Sequence, residues 1–220
     1  KGLPEDLVAP TALLTDRTGQ AIVGYVMPAV RDAVPLHAYA DPVFRRSGVS
    51  GPQVVALFDR LATALRRLHS AGVVLGDFND FNVLVTPDGT PKIIDADSAQ
   101  FGKFLCTVFT ERFVDPTLCA PDAPSPQLVR PYTASADWYA FYALLFQSIF
   151  YLSPFGGIFK PNDPARRVPH ATRPMRRISV FHPEVVVPKQ TPPFDILGEE
   201  WLHQFRSVFE GGERTEVSSA

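Results

Sequence analysis

The chain has 220 residues, enough for one sizeable domain or two small ones. Apolar residues make up 45% and charged residues 20%, and the formal net charge is −2, so nothing in the totals argues for nucleic acid or an anionic membrane surface as a partner. The longest apolar run, Trp138 to Phe146, falls well short of the ~20 residues a bilayer span needs, which gives the expectation of a soluble protein with no membrane partner.

The chain opens at Lys1 in mid-pattern, as a piece of a longer polypeptide would. From Leu13 to Val30 the spacing predicts two strands joined by a turn at Thr15-Asp16-Arg17-Thr18-Gly19, and Pro28 ends the second because proline cannot donate to a ladder. A short irregular or helical piece follows from Leu36 to Arg46. The first strong helix is SGPQVVALFDRLATALRRLHSAG: Ser50 and Gln53 form a capping box, Val54, Leu57, Phe58, Leu61, Leu65 and Leu68 hold helical spacing, and Gly72 stops it. His69, on the edge of that helix end, reads as structural.

A hairpin is predicted from Val83–Val85 through Pro-Asp-Gly to Lys92–Ile94, followed by a long loop-rich surface excursion from Phe101 to Arg130. SADWYAFYALLFQSIFYL is apolar on almost every side, the pattern of a buried central helix, with Ser135 as its expected N-cap. Beyond Pro154 the chain is rich in proline and arginine; Arg166, Arg167, Arg173, Arg176 and Arg177 read as a solvated loop rather than a phosphate-binding patch. A last amphipathic helix is expected near Glu199 to Phe209, with Trp201, Phe205 and Phe209 at four-residue steps. The result is an α+β domain, predominantly α, without internal repeats. Cys106 and Cys119 lack metal-site spacing, which argues against zinc, and two free thiols without a visible leader fit a reducing, cytoplasmic setting.

The chemistry concentrates in VVLGDFNDFNVLVTPDGTPKIIDADSAQF, Val73 to Phe101. Asp77, Asn79, Asp80 and Asn82 crowd one loop, and Asp95 and Asp97 follow an apolar run, although Thr86-Pro87-Asp88-Gly89 already supplies the turn. The two ends of a hairpin lie side by side, so Asn82 and Asp95 should stand within one metal ion's reach. Their oxygens are what Mg²⁺ prefers. Asp77, five residues before Asn82 on the same loop, could accept a proton from an attacking hydroxyl. A base, two metal ligands and no covalent nucleophile make the parts list of direct phosphoryl transfer. Asp97 reads equally as a second metal contact or a turn cap.

LGDFNDFNVLV and KIIDAD together resemble the catalytic loop and metal-binding loop of the protein-kinase-like family, whose pattern is H-R-D-x-x-x-x-N, a hairpin, then D-F-G. The resemblance implies a C-terminal (large) lobe over residues 31–220, with hinge strands and the last small-lobe strands over residues 1–30 and the rest of the small lobe absent. It implies Asp77, Asn82 and Asp95 as the catalytic set, with Asn82 and Asp95 holding Mg²⁺. AIVGYVMPAV is similar to the strand entering the hinge, with Met27 as gatekeeper, the Pro28 carbonyl and Val30 N–H facing adenine, and Leu84 beneath the purine. LCAPD resembles the A-P-E segment, which would pair Asp122 with Arg214, and Asp137 would brace the catalytic loop.

Within the family, the loop and the D-x-D-S segment are similar to bacterial kinase-like proteins that carry helix-hairpin-helix DNA-binding regions, so any DNA association would run through regions outside this chain. The implied function is ATP- and Mg²⁺-dependent phosphotransfer to Ser/Thr hydroxyls of protein, in the cytoplasm. The alternative is a catalytically inactive kinase-like (pseudokinase) module that docks a regulatory partner. Departures feed that alternative: Leu75-Gly76 replaces His-Arg, Asn79 replaces a lysine, and Ala96-Asp97 replaces Phe-Gly. A nucleotide-sugar transferase using Asp95-x-Asp97 leaves Asp77 and Asn82 unexplained.

Overall fold

The computed structural model of the chain describes residues 3–217. It is a mixed α/β molecule of four α-helices and several small antiparallel sheets. Strands β1 (Ala12–Thr15) and β2 (Ile22–Val26) pair as the expected hairpin, with a register irregularity at Leu14/Thr15. Asp16 ties the turn: its carboxylate accepts from Thr18 Oγ1 and from the Gln20 and Ala21 amides. This ribbon is exposed on both faces.

The next residues reach the main body through β3 (Val34–Pro35), a 3₁₀ turn at Leu36–Ala40, and the short helix α1 (Pro42–Arg46). Helix α2 (Gly51–Ser70) begins as its sequence dictates: Gln53 Oε1 accepts from the Ser50 amide and hydroxyl, at 2.8 Å each. Its six spaced apolar residues are all buried, and Gly72 with φ +78° turns the chain out. After β4 (Val73–Val74), the hairpin forms from β5 (Val83–Val85) and β6 (Pro91–Ile93), one residue earlier on the return than the sequence predicted. β3 flanks β5, and β4 pairs with β7 (Gln100–Phe101). Residues 6–8 add a segment on the free edge of β6: Ile93 N donates to Asp6 O and Val8 N to Ile93 O, both at 2.8 Å. No sequence signal announced that pairing.

Helix α3 (Ala134–Phe150) is the axis of the core, buried on nearly every side as its composition predicted. Its N-cap is Thr133, not Ser135. Thr133 holds the extended conformation a cap needs and accepts from Ala136 N, while the Ser135 hydroxyl is bonded to Thr133 Oγ1. Past it lie β8 (Ile158–Phe159) and β9 (Val185–Val186), with the proline-rich chain between them in 3₁₀ turns. Helix α4 (Glu199–Arg206) closes the core through Trp201, Phe205 and Phe209, the last on a π-helical turn.

The basic stretch is only partly a solvated loop. Arg173 is buried, held by the carbonyls of Ile178, Gly156 and Gly157, so it is an internal strut. Arg166 pairs with Glu184 at the surface. Arg214 also departs from expectation. It grips buried Asp115 in two parallel bonds, Nε to Oδ2 at 2.6 Å and Nη2 to Oδ1 at 2.7 Å, whereas Asp122 lies exposed near Arg176. The reason is steric order: Asp115 caps the 3₁₀ turn Pro116–Leu118 and is carried inward with it. Among the described residues no helix is long and apolar enough to cross a membrane.

Candidate functional site

The loop from Leu75 to Asn82 leaves β4 and enters β5, and nearly every polar atom in it has a defined partner. Its outer support is Asp137, on the first turn of α3 and fully buried. Asp137 Oδ1 accepts from Gly76 N at 2.9 Å and Oδ2 from Leu75 N at 2.8 Å, while His69 Nε2 lies 2.9 Å from Oδ2. One carboxylate therefore fixes the end of α2 and the start of the loop together, as the resemblance implied for Asp137. His69 is structural, as its position suggested.

Gly76 stands where the family pattern carries arginine, and the structure gives the reason. Its φ is +72°, and a Cβ there would lie 2.6 Å from Cys106 Sγ and 2.7 Å from Cys106 Cβ. Only glycine fits both conditions.

Asp77 Oδ1 accepts from Thr110 N at 2.7 Å, which fixes the carboxylate and leaves Oδ2 for another donor. The Asp77 carbonyl accepts from Asn79 Nδ2 at 3.1 Å and Asn82 Nδ2 at 3.0 Å. Asn79 Oδ1 in turn accepts from the amides of Phe81 and Asn82. Asn79 is thus consumed in holding the loop's shape.

The hairpin brings its ends together as the argument from its geometry required. Ile94 N donates to Asn82 O at 2.9 Å, and Asn82 Nδ2 lies 3.5 Å from Asp95 Oδ2. Among the described residues Asp95 is one of four non-glycine residues at positive φ, at +66°, a conformation held here by Ser98, whose amide and hydroxyl both donate to the Asp95 carbonyl. Asp77, Asn82 and Asp95 therefore form one cluster.

Burial pushes the Asp95 carboxyl above its ordinary value, and the Asp97 carboxyl beside it and the charge of Asp77 push the same way. Carboxylates crowded without a cation repel one another, and an oxygen-only donor set of this kind suits a hard divalent ion. The fit is one of chemistry: among the described residues no three His, Cys, Asp or Glu side chains converge into a preformed metal cage. Asn82 would supply an amide oxygen, and any further ligands would be phosphate and water oxygens.

The expected adenine-facing residues do not all line one depression. Pro28 and Val30 line a depression of about 610 Å³ whose other walls come from residues 3–5 and 7–11, Ala29, Arg31, Thr86 and Lys92. Met27 follows β2 and is exposed, and Leu84 lies in β5 opposite Pro35 and Lys92, outside that lining.

One residue of the loop, outside that cluster, carries more structure than its sequence context indicated. Asp80 is buried, and its carboxylate meets His37 Nδ1 at 2.7 Å, Gln147 Nε2 at 3.1 Å and Arg112 Nη2 at 3.3 Å. Its partners come from three elements far away in sequence, so no local pattern could have revealed it.

No family model matches the chain. It is similar to protein kinase YegI of Escherichia coli (strain K12), 28% identical over 116 residues, covering 50% of this chain and 18% of that protein. Human protein kinase C delta type is 35% identical over 95 residues, covering 42% of this chain and 13% of that protein. Protein kinase C-like 1 of Saccharomyces cerevisiae is 33% identical over 101 residues, covering 43% of this chain and 8% of that protein. The chain spans less than a fifth of the length of these curated relatives. The likeness is low and partial, and it supports a kinase-like relationship.

Proposed function

We propose that the chain is the large lobe and hinge of a kinase-like phosphotransferase that moves the γ-phosphoryl group of ATP to a Ser/Thr hydroxyl of protein. The observation that carries this reading is the convergence of Asp77, Asn82 and Asp95 at the two ends of one hairpin, on a loop braced by Asp137. Three polar residues so placed, with their loop's backbone satisfied by buried partners, are a positioned set.

In this reading Asp77 Oδ2 takes the proton of the attacking hydroxyl as that oxygen forms its bond to the γ-phosphorus. The bond from phosphorus to the bridging oxygen breaks, and ADP carries off the electron pair. Thr110 N keeps Oδ1 occupied, so Oδ2 is the oxygen free to act. Asn82 and Asp95 would hold Mg²⁺, which when bound neutralises charge on the phosphate oxygens. The backbone near Pro28 and Val30 would meet the adenine in the depression they line, and Leu84, outside that lining, is not part of the proposed adenine site.

One observation favours a second reading, a kinase-like module that binds without turnover. Asn79 occupies the place of a phosphate-facing lysine and is bonded into the loop backbone, so it brings no charge to a transferred phosphate. Calorimetric titration of ATP with and without Mg²⁺ into the full-length protein, beside Asp95→Ala, tests the site. Mg²⁺-dependent binding lost in the variant supports it, and absence of binding to wild type sinks the phosphotransferase reading and leaves a kinase-like docking module. Phosphotransfer to added protein, lost in Asp77→Asn with nucleotide binding retained, then selects the first reading; binding without phosphotransfer selects the second.

A further inference from the structure

The carboxylate of Asp80 belongs neither to the proposed base nor to the proposed metal ligands. It sits three residues after Asp77 on the same loop, is 1% exposed, and faces three donors: His37 from the 3₁₀ turn, Gln147 from α3 and Arg112 from the excursion of residues 101–130. The backbone carbonyl of Asp80 also accepts from His37 N at 2.9 Å. His37 and Gln147 hang on the packed body of the molecule. Arg112 reaches Asp80 from a loop-rich segment, its side chain about as exposed as that of His37, beside Phe113 and Val114, which are buried.

The turn that carries Arg112 is the one that touches Asp77. Thr110 N donates to Asp77 Oδ1, and the amides of Phe113 and Val114 fold back onto the Thr110 carbonyl at 2.9 and 3.1 Å. Two acids of one loop therefore grip one turn of the excursion, Asp77 by its first amide and Asp80 by its arginine. A cation cannot come from the loop at residue 76, where positive φ and Cys106 leave no room for a side chain. The acid is built into the loop and the cation into the excursion.

We propose that Asp80 is a positioning residue for Asp77: through Arg112 it holds the Thr110–Val114 turn against the base. The anion that fixes the turn is a permanent, buried carboxylate already anchored by His37 and Gln147. A charged hydrogen bond to an acid withdrawn from water is stronger than an exposed ion pair and less sensitive to salt. This assignment rests on reading Asp77 as the base; the tether itself does not.

The test is amide hydrogen exchange on the full-length protein, with Arg112→Ala, Arg112→Lys and Asp80→Asn compared with wild type. Arg112→Ala should speed exchange at Thr110, Phe113 and Val114 at least about tenfold while leaving the centre of α3 unchanged. Arg112→Lys should restore part of the protection. Equal rates at Thr110–Val114 in wild type and Arg112→Ala would overturn the proposal, whatever happens to Asp80→Asn. A wild type that shows the expected exchange pattern yet transfers no phosphate sinks the phosphotransferase reading alone and leaves the tether standing.

Discussion

The loop at Leu75–Asn82 and the ribbon of β1 and β2 invert the usual relation between polarity and burial. The loop is rich in Asp and Asn, yet Asn79 and Asp80 are buried and bonded on several sides. The ribbon is rich in Leu, Ile, Val and Tyr, yet Leu13, Ile22 and Val23 each leave more than 60% of their surface exposed. A two-stranded ribbon with both faces in water is marginal on its own. The loop is held by charge and hydrogen bonds that have nowhere else to go, and the ribbon by backbone pairing alone. The difference teaches that in this molecule order at the candidate site comes from satisfied buried polar atoms, and hydrophobicity by itself has not secured a place in the core.

Substitutions at the brace should expose that contrast most strongly. Asp137→Ala leaves His69 and two loop amides unpartnered in a buried setting, and chemical denaturation should show a loss of about 3–5 kcal/mol. A loss under about 1 kcal/mol would show that the loop does not depend on its polar anchor.

The thiols packed behind the site sharpen the same contrast through pH. Burial, with the charge of Asp115 adding to it, pushes the Cys119 thiol from 9.0 up to about 11. A raised thiol value means less thiolate at a given pH, so at pH 8 the folded protein should hold about a hundredfold less Cys119 thiolate than the unfolded chain. Alkylation of the Cys119 peptide, followed by mass, should keep climbing with pH until near 11 in the folded protein and level off near 9 in urea. Coincident profiles would break the picture of a closed, dry backing.

Gly76→Ala comes next, with an expected loss of about 2 kcal/mol from a strained φ and a Cβ pressed on Cys106. Cys106→Gly in the same protein should recover part of that loss and not all, because it removes the contact and leaves the φ. Full recovery would assign the whole effect to crowding. The smallest effect should come from the ribbon: Val23→Lys, at a largely exposed position, should change stability by less than about 0.5 kcal/mol. A larger loss would mean that the ribbon is covered in solution.

What the sequence disclosed is whatever repeats over short distances. The Asp77–Asn82 spacing, the hairpin that returns Asp95, the Ser50–Gln53 cap and the apolar faces of α2 and α3 all depend on neighbours within a few turns, and all were legible. The N-cap of α3 was misplaced because Thr133 and Ser135 are both good caps, and only backbone geometry chooses between them. Asp80 meets His37, Arg112 and Gln147 across 43, 32 and 67 residues, and periodicity carries no record of such pairings. The burial of Arg173 and the pairing of residues 6–8 with β6 escaped for the same reason. Arg214 was rightly expected to bind an acid and was given the wrong one, since a motif names residue types and the packed turn decides which carboxylate faces inward.

The grip of Arg214 on Asp115 has a consequence for how the chain acquires its shape during synthesis. The two residues are 99 apart, and Asp115 is buried while its principal cation is supplied only by a residue made much later. Until residue 214 has left the ribosome, the segment around Asp115 holds an acid without its counter-charge and has reason to stay open. Where α2 meets α3 and the hairpin, packing can begin earlier, although Phe146 of α3 also waits for Phe205 and Phe209. The floor beneath the Thr110–Val114 turn cannot, so the proposed base would be among the last parts of the molecule to find its final surroundings, however early it is translated.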